Sequence, residues 1–182
     1  MKITHRKICS RSFLAMSISL AAMTILVRPA TSQELPPEGQ FKITYTAVNP
    51  SPAKPVAISA TKDILMNNLI MTASNDAGSG LLHGLAGRCA IVNTIDKTAK
   101  TIEAKGSCTY TDRNGDMVFE DVATTAPQPM GPVVALKGVW KGGTGKYARL
   151  TGDFDIRNEG VMATESLTQA IGKKTGSYKI AP

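Results

Sequence analysis

Apolar and polar residues alternate along several short stretches of the chain, and this pattern predicts β-strands. Residues 41–46 read FKITYT, and residues 133–140 place Val134, Leu136 and Trp140 on one face. Because successive side chains of a strand point to opposite faces, each stretch has one face suited to a core and one suited to solvent. The alternation therefore predicts half-buried strands at both places.

The same reading extends to other parts of the chain, where turn-forming residues separate the apolar stretches. Further strands are predicted at residues 56–60, 81–92, 98–110, 117–122, 147–156 and 177–180. Proline-bearing loops are predicted at 49–55 and 124–132, and turns at 96–98, 112–116 and 158–160. About eight or nine strands at hairpin spacing favour a closed antiparallel β-barrel over an open sheet with exposed edges.

Residues 64–72 are ambiguous, since their apolar positions fit one face of a short helix about as well as a buried strand. Asn67 and Asn68 stand in the middle of this stretch, and asparagine pairs are typical of turns. The sequence therefore predicts a turn here between two strands.

A glycine-rich corner follows the strand at 133–140. Gly142, Gly143 and Gly145 surround Thr144, which suits a turn or bulge where the backbone needs positive φ or close approach. A phosphate-binding loop is the alternative, but Trp140 stands where the first Walker glycine is required, and no Ser or Thr follows the lysine. A structural turn is the better interpretation.

Two segments near this corner resemble a known family. The segments are TDRNGD, which contains Thr111, Asp112, Gly115 and Asp116, and WKGGTGKYARLTG at residues 140–152. They resemble small secreted bacterial proteins related to the allene oxide cyclase and dirigent barrels, over roughly residues 80–157. The resemblance implies an antiparallel barrel of about eight strands, and it transfers no catalytic residue to a matching position.

The first 32 residues have the composition of a secretory signal peptide. Four basic residues precede the apolar run at 13–27, and Ala30-Thr31-Ser32 is typical of a cleavage site. That run is too short to span a bilayer. The segment holds five Lys/Arg and no acidic residue, so the whole-chain charge of +7 falls to 16 basic against 14 acidic residues after it. A nucleic-acid-binding protein would keep a basic stripe, so we expect no nucleic-acid partner.

The predicted mature chain is a flexible lead-in at 33–39 followed by one barrel domain at 40–182, exported to the periplasm or the medium and free of the membrane. Of the three cysteines, only Cys89 and Cys108 lie beyond the signal. In an oxidising compartment they are expected to form a disulfide. They lie at nearly equal distances from the turn at 96–98, which would place them on facing strands.

One metal site is weighed at Asp112, Asn114 and Asp116, which occupy positions 1, 3 and 5 of an EF-type loop. Position 6 is Met117 in place of glycine, and position 12 is Ala123 in place of glutamate. Because Asn-Gly between strands is also a common hairpin turn, we expect no metal and no other cofactor.

His83 is the only histidine after the signal, and two interpretations are open: a structural residue or a general acid/base. The acidic pairs Glu120–Asp121 and Asp153/Asp155 suit a solvated barrel surface, and no catalytic residue is assigned. Trp140, Tyr147 and His83 are the candidates for contact with a ligand in the lumen.

An eight-stranded barrel is just wide enough to hold one small ligand, so the predicted function is binding of a small apolar molecule in the lumen. Two alternatives stay open. An isomerase or cyclase would place a carboxylate or His83 in a real cavity, whereas a structural or adhesive protein would have a packed lumen. Whether the chain is an enzyme, and its oligomeric state, are left undecided.

Overall fold

The computed structural model describes residues 35–164 and 167–182, and eight long strands account for most of them. The strands are β1 (Glu38–Asn49), β2 (Lys62–Asn75), β3 (Leu85–Asp96), β4 (Thr101–Thr111), β5 (Met117–Ala123), β6 (Val133–Gly143), β7 (Asp153–Thr164) and β8 (Leu167–Ile180). Two-residue strands at Val56–Ala57, Gln128–Pro129 and Leu150–Thr151 and a 3-10 turn at Gly145–Tyr147 complete the described structure.

The eight strands form a closed antiparallel barrel in which each strand pairs with the next along the chain. Strand β1 pairs with β2 on one side and with β8 on the other, for example Tyr45 opposite Ala73 and opposite Gly172. The sheet therefore has no free edge among these strands. The predicted all-β fold and antiparallel barrel of about eight strands are confirmed.

Alternation decides which residues enter the lumen. On β1 the buried side chains are Phe41, Ile43, Tyr45, Ala47 and Asn49. The polar residues between them face outward, as the period of two requires. On β6 the inward positions include Leu136 and Trp140, which were predicted to share a face.

The predicted disulfide is confirmed. Cys89 on β3 and Cys108 on β4 lie directly opposite each other in the ladder and are bonded. Both side chains are buried and face the lumen. The bond therefore crosslinks two neighbouring strands of the barrel on the side that faces the lumen.

Several predicted boundaries are wrong. Asn67 and Asn68 form no turn, because β2 runs unbroken through them and pairs with β3 throughout; the Asn67 carboxamide faces inward and accepts a 2.8 Å hydrogen bond from Asn49. Residues 158–160 likewise continue β7 instead of turning. The strand predicted from residue 81 begins at Leu85, since 81–84 form a turn with positive φ at Leu82 and Gly84.

The last predicted strand was also too short, because β8 runs from Leu167 to Ile180 and not only over 177–180. Its glycines and lysines mask the alternation that pairs it with β1 and β7. The glycine corner spans the end of β6 and the start of the 3-10 turn, where Gly142 and Gly145 adopt φ of 83° and 50°.

The predicted signal at 1–32 lies outside the described residues. Within the described ranges, no helix has the length and hydrophobicity that crossing a membrane would require.

Candidate functional site

One end of the lumen is filled by aromatic rings. Trp140 and Phe154 stack with ring centres 4.3 Å apart, and Phe41 lies 5.5 Å from Trp140. Tyr178 closes the group at 6.5 Å from Phe41. The two separations from Phe41 are those of favourable aromatic pairs, and the Trp140 and Phe154 rings are in closer, tilted contact. We call Phe41, Trp140, Phe154 and Tyr178 the aromatic plug.

The other end of the lumen holds a cavity of about 280 Å³. Most of its lining is apolar and comes from inward positions of the strands, including Leu69, Ile91, Ala104 and Val134. None of the four residues of the aromatic plug lines it. The cavity is therefore the part of the lumen that side chains leave unfilled.

A charged pair lies between the plug and the cavity. Lys174 on β8 and Glu120 on β5 are each 1% exposed, and their Nζ and Oε1 atoms form a salt bridge. Tyr110 on β4 accepts a 2.7 Å hydrogen bond from the Lys174 ammonium. The Tyr110 hydroxyl in turn lies 3.3 Å from Glu120 Oε1, to which it donates.

Tyr45 and Asn158 extend this polar layer. The Tyr45 hydroxyl donates to the Asn158 side-chain oxygen, and both residues line the cavity together with Glu120 and Lys174. Opposite them on β8 stands Gly172, where any side chain would overlap the Tyr45 ring. We call Tyr45, Tyr110, Glu120, Asn158 and Lys174 the polar floor of the cavity.

Aromatic rings of both the polar floor and the aromatic plug surround the Lys174 ammonium. Its nitrogen lies 4.8 Å from the centre of the Tyr110 ring and 5.2 Å from those of Tyr45 and Phe154. A cation within about 6 Å of a ring face is attracted by the ring quadrupole. Rings and carboxylate together replace the water that this cation loses on burial.

Burial dominates the ionisation of the floor. It lowers the pKa of Lys174, although the Glu120 carboxylate acts in the opposite direction. It raises the pKa of Tyr110 well above its ordinary value, and the neighbouring Glu120 charge adds to that increase. The pKa of Tyr45 is raised for the same two reasons. Both tyrosines are therefore neutral hydrogen-bonding groups at physiological pH.

One oxygen of the floor has an unused hydrogen-bonding capacity. Glu120 Oε1 accepts from Lys174 and Tyr110, whereas Glu120 Oε2 is buried with no partner among residues 35–164 and 167–182. A buried acceptor without a partner is costly. Glu120 Oε2 can therefore accept a hydrogen bond from a small molecule in the cavity, or exchange a proton with it.

The three residues predicted to contact a ligand do not meet at this cavity. Trp140 belongs to the aromatic plug, and Tyr147 is buried in the 3-10 turn with the Lys146 ammonium 5.1 Å from its ring centre. His83 is exposed in the 81–84 turn, with its Nδ1 3.4 Å from Ser74 Oγ. None of them lines the cavity.

The loop weighed as a metal site is held by its own hydrogen bonds. Asp112 Oδ1 accepts from the backbone amides of Asn114 and Asp116, and its Oδ2 lies 2.6 Å from the Lys146 ammonium. Gly115, with φ of 87°, completes the turn. Both Asp112 oxygens are thus occupied within the protein.

Three potential metal-ligating side chains come together at the cavity, namely Cys89, Cys108 and Glu120. The two sulfurs are joined in the disulfide and offer no thiolate, which is the form that binds metals. With the disulfide intact, this group is not suited to hold a metal.

Glu120 and Lys174 were missed in the sequence, although their positions carry a signal. Glu120 falls between Val118 and Val122 on the apolar face of β5, and Lys174 shares a face with Ala170 and Tyr178 on β8. A charged residue at an inward position of an alternating strand is unusual unless it is paired. The prediction that Glu120 and Asp121 are both solvated is wrong for Glu120, because neighbouring residues of a strand face opposite sides of the sheet.

No family model matches the sequence, and no curated protein is significantly similar to it. Among solved structures, the chain is similar to a pterocarpan synthase dirigent protein. The match has a TM-score of 0.48 and 12% sequence identity, and it covers 80% of this chain and 88% of the other. This is a likeness between folds, and the function of the chain has to be argued from its own cavity.

Proposed function

We propose that the protein is exported, is soluble once residues 1–32 have been removed, and binds a small apolar molecule in the lumen of its barrel. The cavity of about 280 Å³ is the observation that carries this proposal. Its volume lies near the lower end of the roughly 300–1,000 Å³ typical of small-molecule pockets. Such pockets combine an apolar lining with a few converging polar groups, as this one does with its polar floor.

Export is supported by two independent features of the chain. Residues 1–32 have the order of basic, apolar and small residues that signal peptides have. The Cys89–Cys108 disulfide is typical of proteins that fold in an oxidising compartment.

An enzyme is the second candidate, and one specific observation favours it. Glu120 is a carboxylate that faces a real cavity, with a tyrosine and a lysine within hydrogen-bonding distance. Such a group can exchange protons with a confined substrate. An isomerase or cyclase acting on a small apolar molecule would use this chemistry. By contrast, the unfilled cavity counts against a purely structural or adhesive role.

Native mass spectrometry tests the proposal directly. The mature protein, purified from an oxidising compartment, is expected to carry an extra mass of a small molecule that disappears on denaturation. The bare chain would weigh two hydrogens less than the reduced sequence because of the disulfide. If only the bare mass is found, the protein is saturated with candidate apolar molecules before the measurement is repeated.

A matched pair of variants locates the ligand. Ala104→Leu adds bulk to an inward, buried position that lines the cavity, whereas Ala123→Leu adds the same bulk to an exposed outward position on β5. We expect the first to abolish the bound mass and the second to leave it unchanged. Equal retention of the mass in both variants would show that the ligand lies elsewhere.

Proton exchange by Glu120 separates the two candidates. A carrier with Glu120→Gln should release its ligand unchanged, as the unmodified protein does. An enzyme would convert a bound molecule, and Glu120→Gln would stop the conversion while the molecule still binds.

A further inference from the structure

We propose that the cavity captures small apolar aldehydes, with Lys174 forming an imine to the carbonyl carbon. This inference rests on the proposed binding in the lumen and names the chemical class of the ligand. The evidence is the position of the Lys174 amino group, its counter-ion and the cavity in front of it.

The position of Lys174 differs from that of every other lysine near it. Of the described residues that line the cavity, Lys174 is the only lysine, and it is 1% exposed. Lys173, its neighbour on β8, is exposed on the outer face. An aldehyde in the lumen would therefore meet one amine, placed where the apolar lining ends.

Burial also makes the Lys174 amine more reactive towards an aldehyde. The pKa of Lys174 is lowered, chiefly by burial, so a larger fraction of this amine is free of its proton than of an exposed lysine. A desolvated lysine in an apolar pocket is a recognised nucleophile towards carbonyl groups.

The surroundings of Lys174 also suit the product. A protonated imine carries the same positive charge as the ammonium that it replaces, so the pair with Glu120 is preserved. The rings of Tyr45, Tyr110 and Phe154, all within 5.2 Å of the nitrogen, would face that charge as they face the ammonium. The reaction therefore leaves no buried charge without a partner.

The chemistry balances without any further reactant. Glu120 takes a proton from the Lys174 ammonium, and the free amine attacks the carbonyl carbon, so that a C–N bond forms and the C=O electron pair moves to oxygen. A proton passes from nitrogen to that oxygen, and Glu120 then protonates the resulting hydroxyl. This hydroxyl leaves as water while the C=N bond forms, and Glu120 is again a carboxylate.

Reductive trapping tests the proposal. The protein is mixed with one equivalent of trans-cinnamaldehyde, an apolar aldehyde, together with sodium cyanoborohydride, and the modified residue is located by fragmentation. We expect most of the adduct on Lys174 and little on Lys173, because only Lys174 lines the cavity in which the aldehyde collects. Adduct spread evenly over the exposed lysines would overturn the proposal.

Two variants give the matched controls. Lys173→Arg should trap the aldehyde as the unmodified protein does. Lys174→Arg keeps a cation opposite Glu120 but has no amine that can form an imine, so the main adduct should be lost. Circular dichroism checks that both are folded. An undiminished adduct in folded Lys174→Arg would contradict the proposal.

A spectroscopic readout examines Glu120. The imine of cinnamaldehyde absorbs at longer wavelength when protonated, so the adduct before reduction should show the red-shifted band in the unmodified protein. Glu120→Gln removes the counter-ion that keeps the imine protonated. The imine should then lose its proton, and the band should move to shorter wavelength at the same pH.

Cinnamyl alcohol separates failure of this inference from failure of the proposed function. It has the carbon skeleton of the aldehyde but cannot form an imine. Binding of the alcohol in native mass spectrometry without an aldehyde adduct at Lys174 would refute imine formation and leave lumenal binding intact. If neither compound associates with the protein, the aldehyde class is refuted, and the search for a bound mass in the purified protein decides the proposed function.

Discussion

Between Phe41 and Tyr178 the lumen is filled by aromatic rings, whereas beyond the polar floor the same eight strands leave a cavity of about 280 Å³. The difference lies in side-chain size at inward positions. Strand β1 places Phe41, Ile43 and Tyr45 towards one end but Ala47 and Asn49 towards the other. Barrel geometry permits either outcome at this strand number. The size of the side chains at the inward positions thus decides which half of the barrel is a packed core and which half is a cavity.

The largest expected effect comes from emptying the filled half. Phe154→Ala removes a ring packed against Trp140 and over Gly138, and it should lower the free energy of unfolding by about 4 kcal/mol. Leu69→Ala, at a half-buried position that already borders the cavity, should cost about 2 kcal/mol. Urea denaturation measures both. Equal losses would mean that the two halves are packed alike.

The next largest effect concerns the boundary between the halves. Lys174→Met leaves the Glu120 charge buried without its partner and should cost about 3 kcal/mol. The double variant Lys174→Met/Glu120→Leu should recover most of that loss, because no buried charge remains. Urea denaturation of the single and double variants gives the comparison. A double variant as unstable as the single one would show that the loss comes from packing and not from charge.

A smaller effect is expected where the floor approaches the backbone. Gly172→Ala would place a methyl group within the Tyr45 ring, so the ring has to move away from Asn158 at a cost of about 2 kcal/mol. Gly131→Ala serves as the control for stability, because no atom lies within 4 Å of the place that its methyl group would take. Thermal denaturation compares the two variants. Ligand titration compares Gly172→Ala with the unmodified protein, and unchanged ligand affinity would show that Tyr45 does not shape the cavity.

The smallest effect is a dependence of stability on pH, which tests whether the polar floor excludes water. The folded-state pKa of Tyr110 is raised above that of the unfolded chain, so its contribution to stability is complete below pH 10 and is lost as the pH rises further. At pH 10.5 the loss from this residue should be about 0.8 kcal/mol. Tyr110→Phe should therefore lose less stability than the unmodified protein between pH 9 and 10.5, measured by urea denaturation. Equal losses would indicate that Tyr110 is accessible to water.

Most of the fold could be predicted because alternation is a local property. The β1 pattern and the turn at 112–116 are visible within a few residues of sequence. Asn67 and Asn158 were misplaced in turns because their partners, Asn49 and Tyr45, lie far away in the chain. Where a polar side chain is satisfied by a residue on another strand, tertiary contacts override its local turn preference.

The floor was harder to predict for the same reason. Glu120 and Lys174 are separated by 54 residues, and neither is plausible at an inward position without the other. Which face each residue occupies can be derived from the alternation in its own strand. That the two residues pair can be seen only once the strands are arranged in a closed barrel. The plug residues, by contrast, are apolar and are compatible with burial against any neighbour.

The pairing of β1 with β8 has a consequence for how the protein assembles. Glu38 lies opposite Lys179 and Asn49 opposite Thr168, so the first long strand pairs with the last over its whole length, whereas its pairing with β2 covers only Ile43 to Val48. Such a contact spans almost the whole described chain, and contacts of this kind slow folding. The barrel can close only when β8 is available. Until then the aromatic plug and the Lys174–Glu120 pair are incomplete, and β1 presents an open edge to other chains.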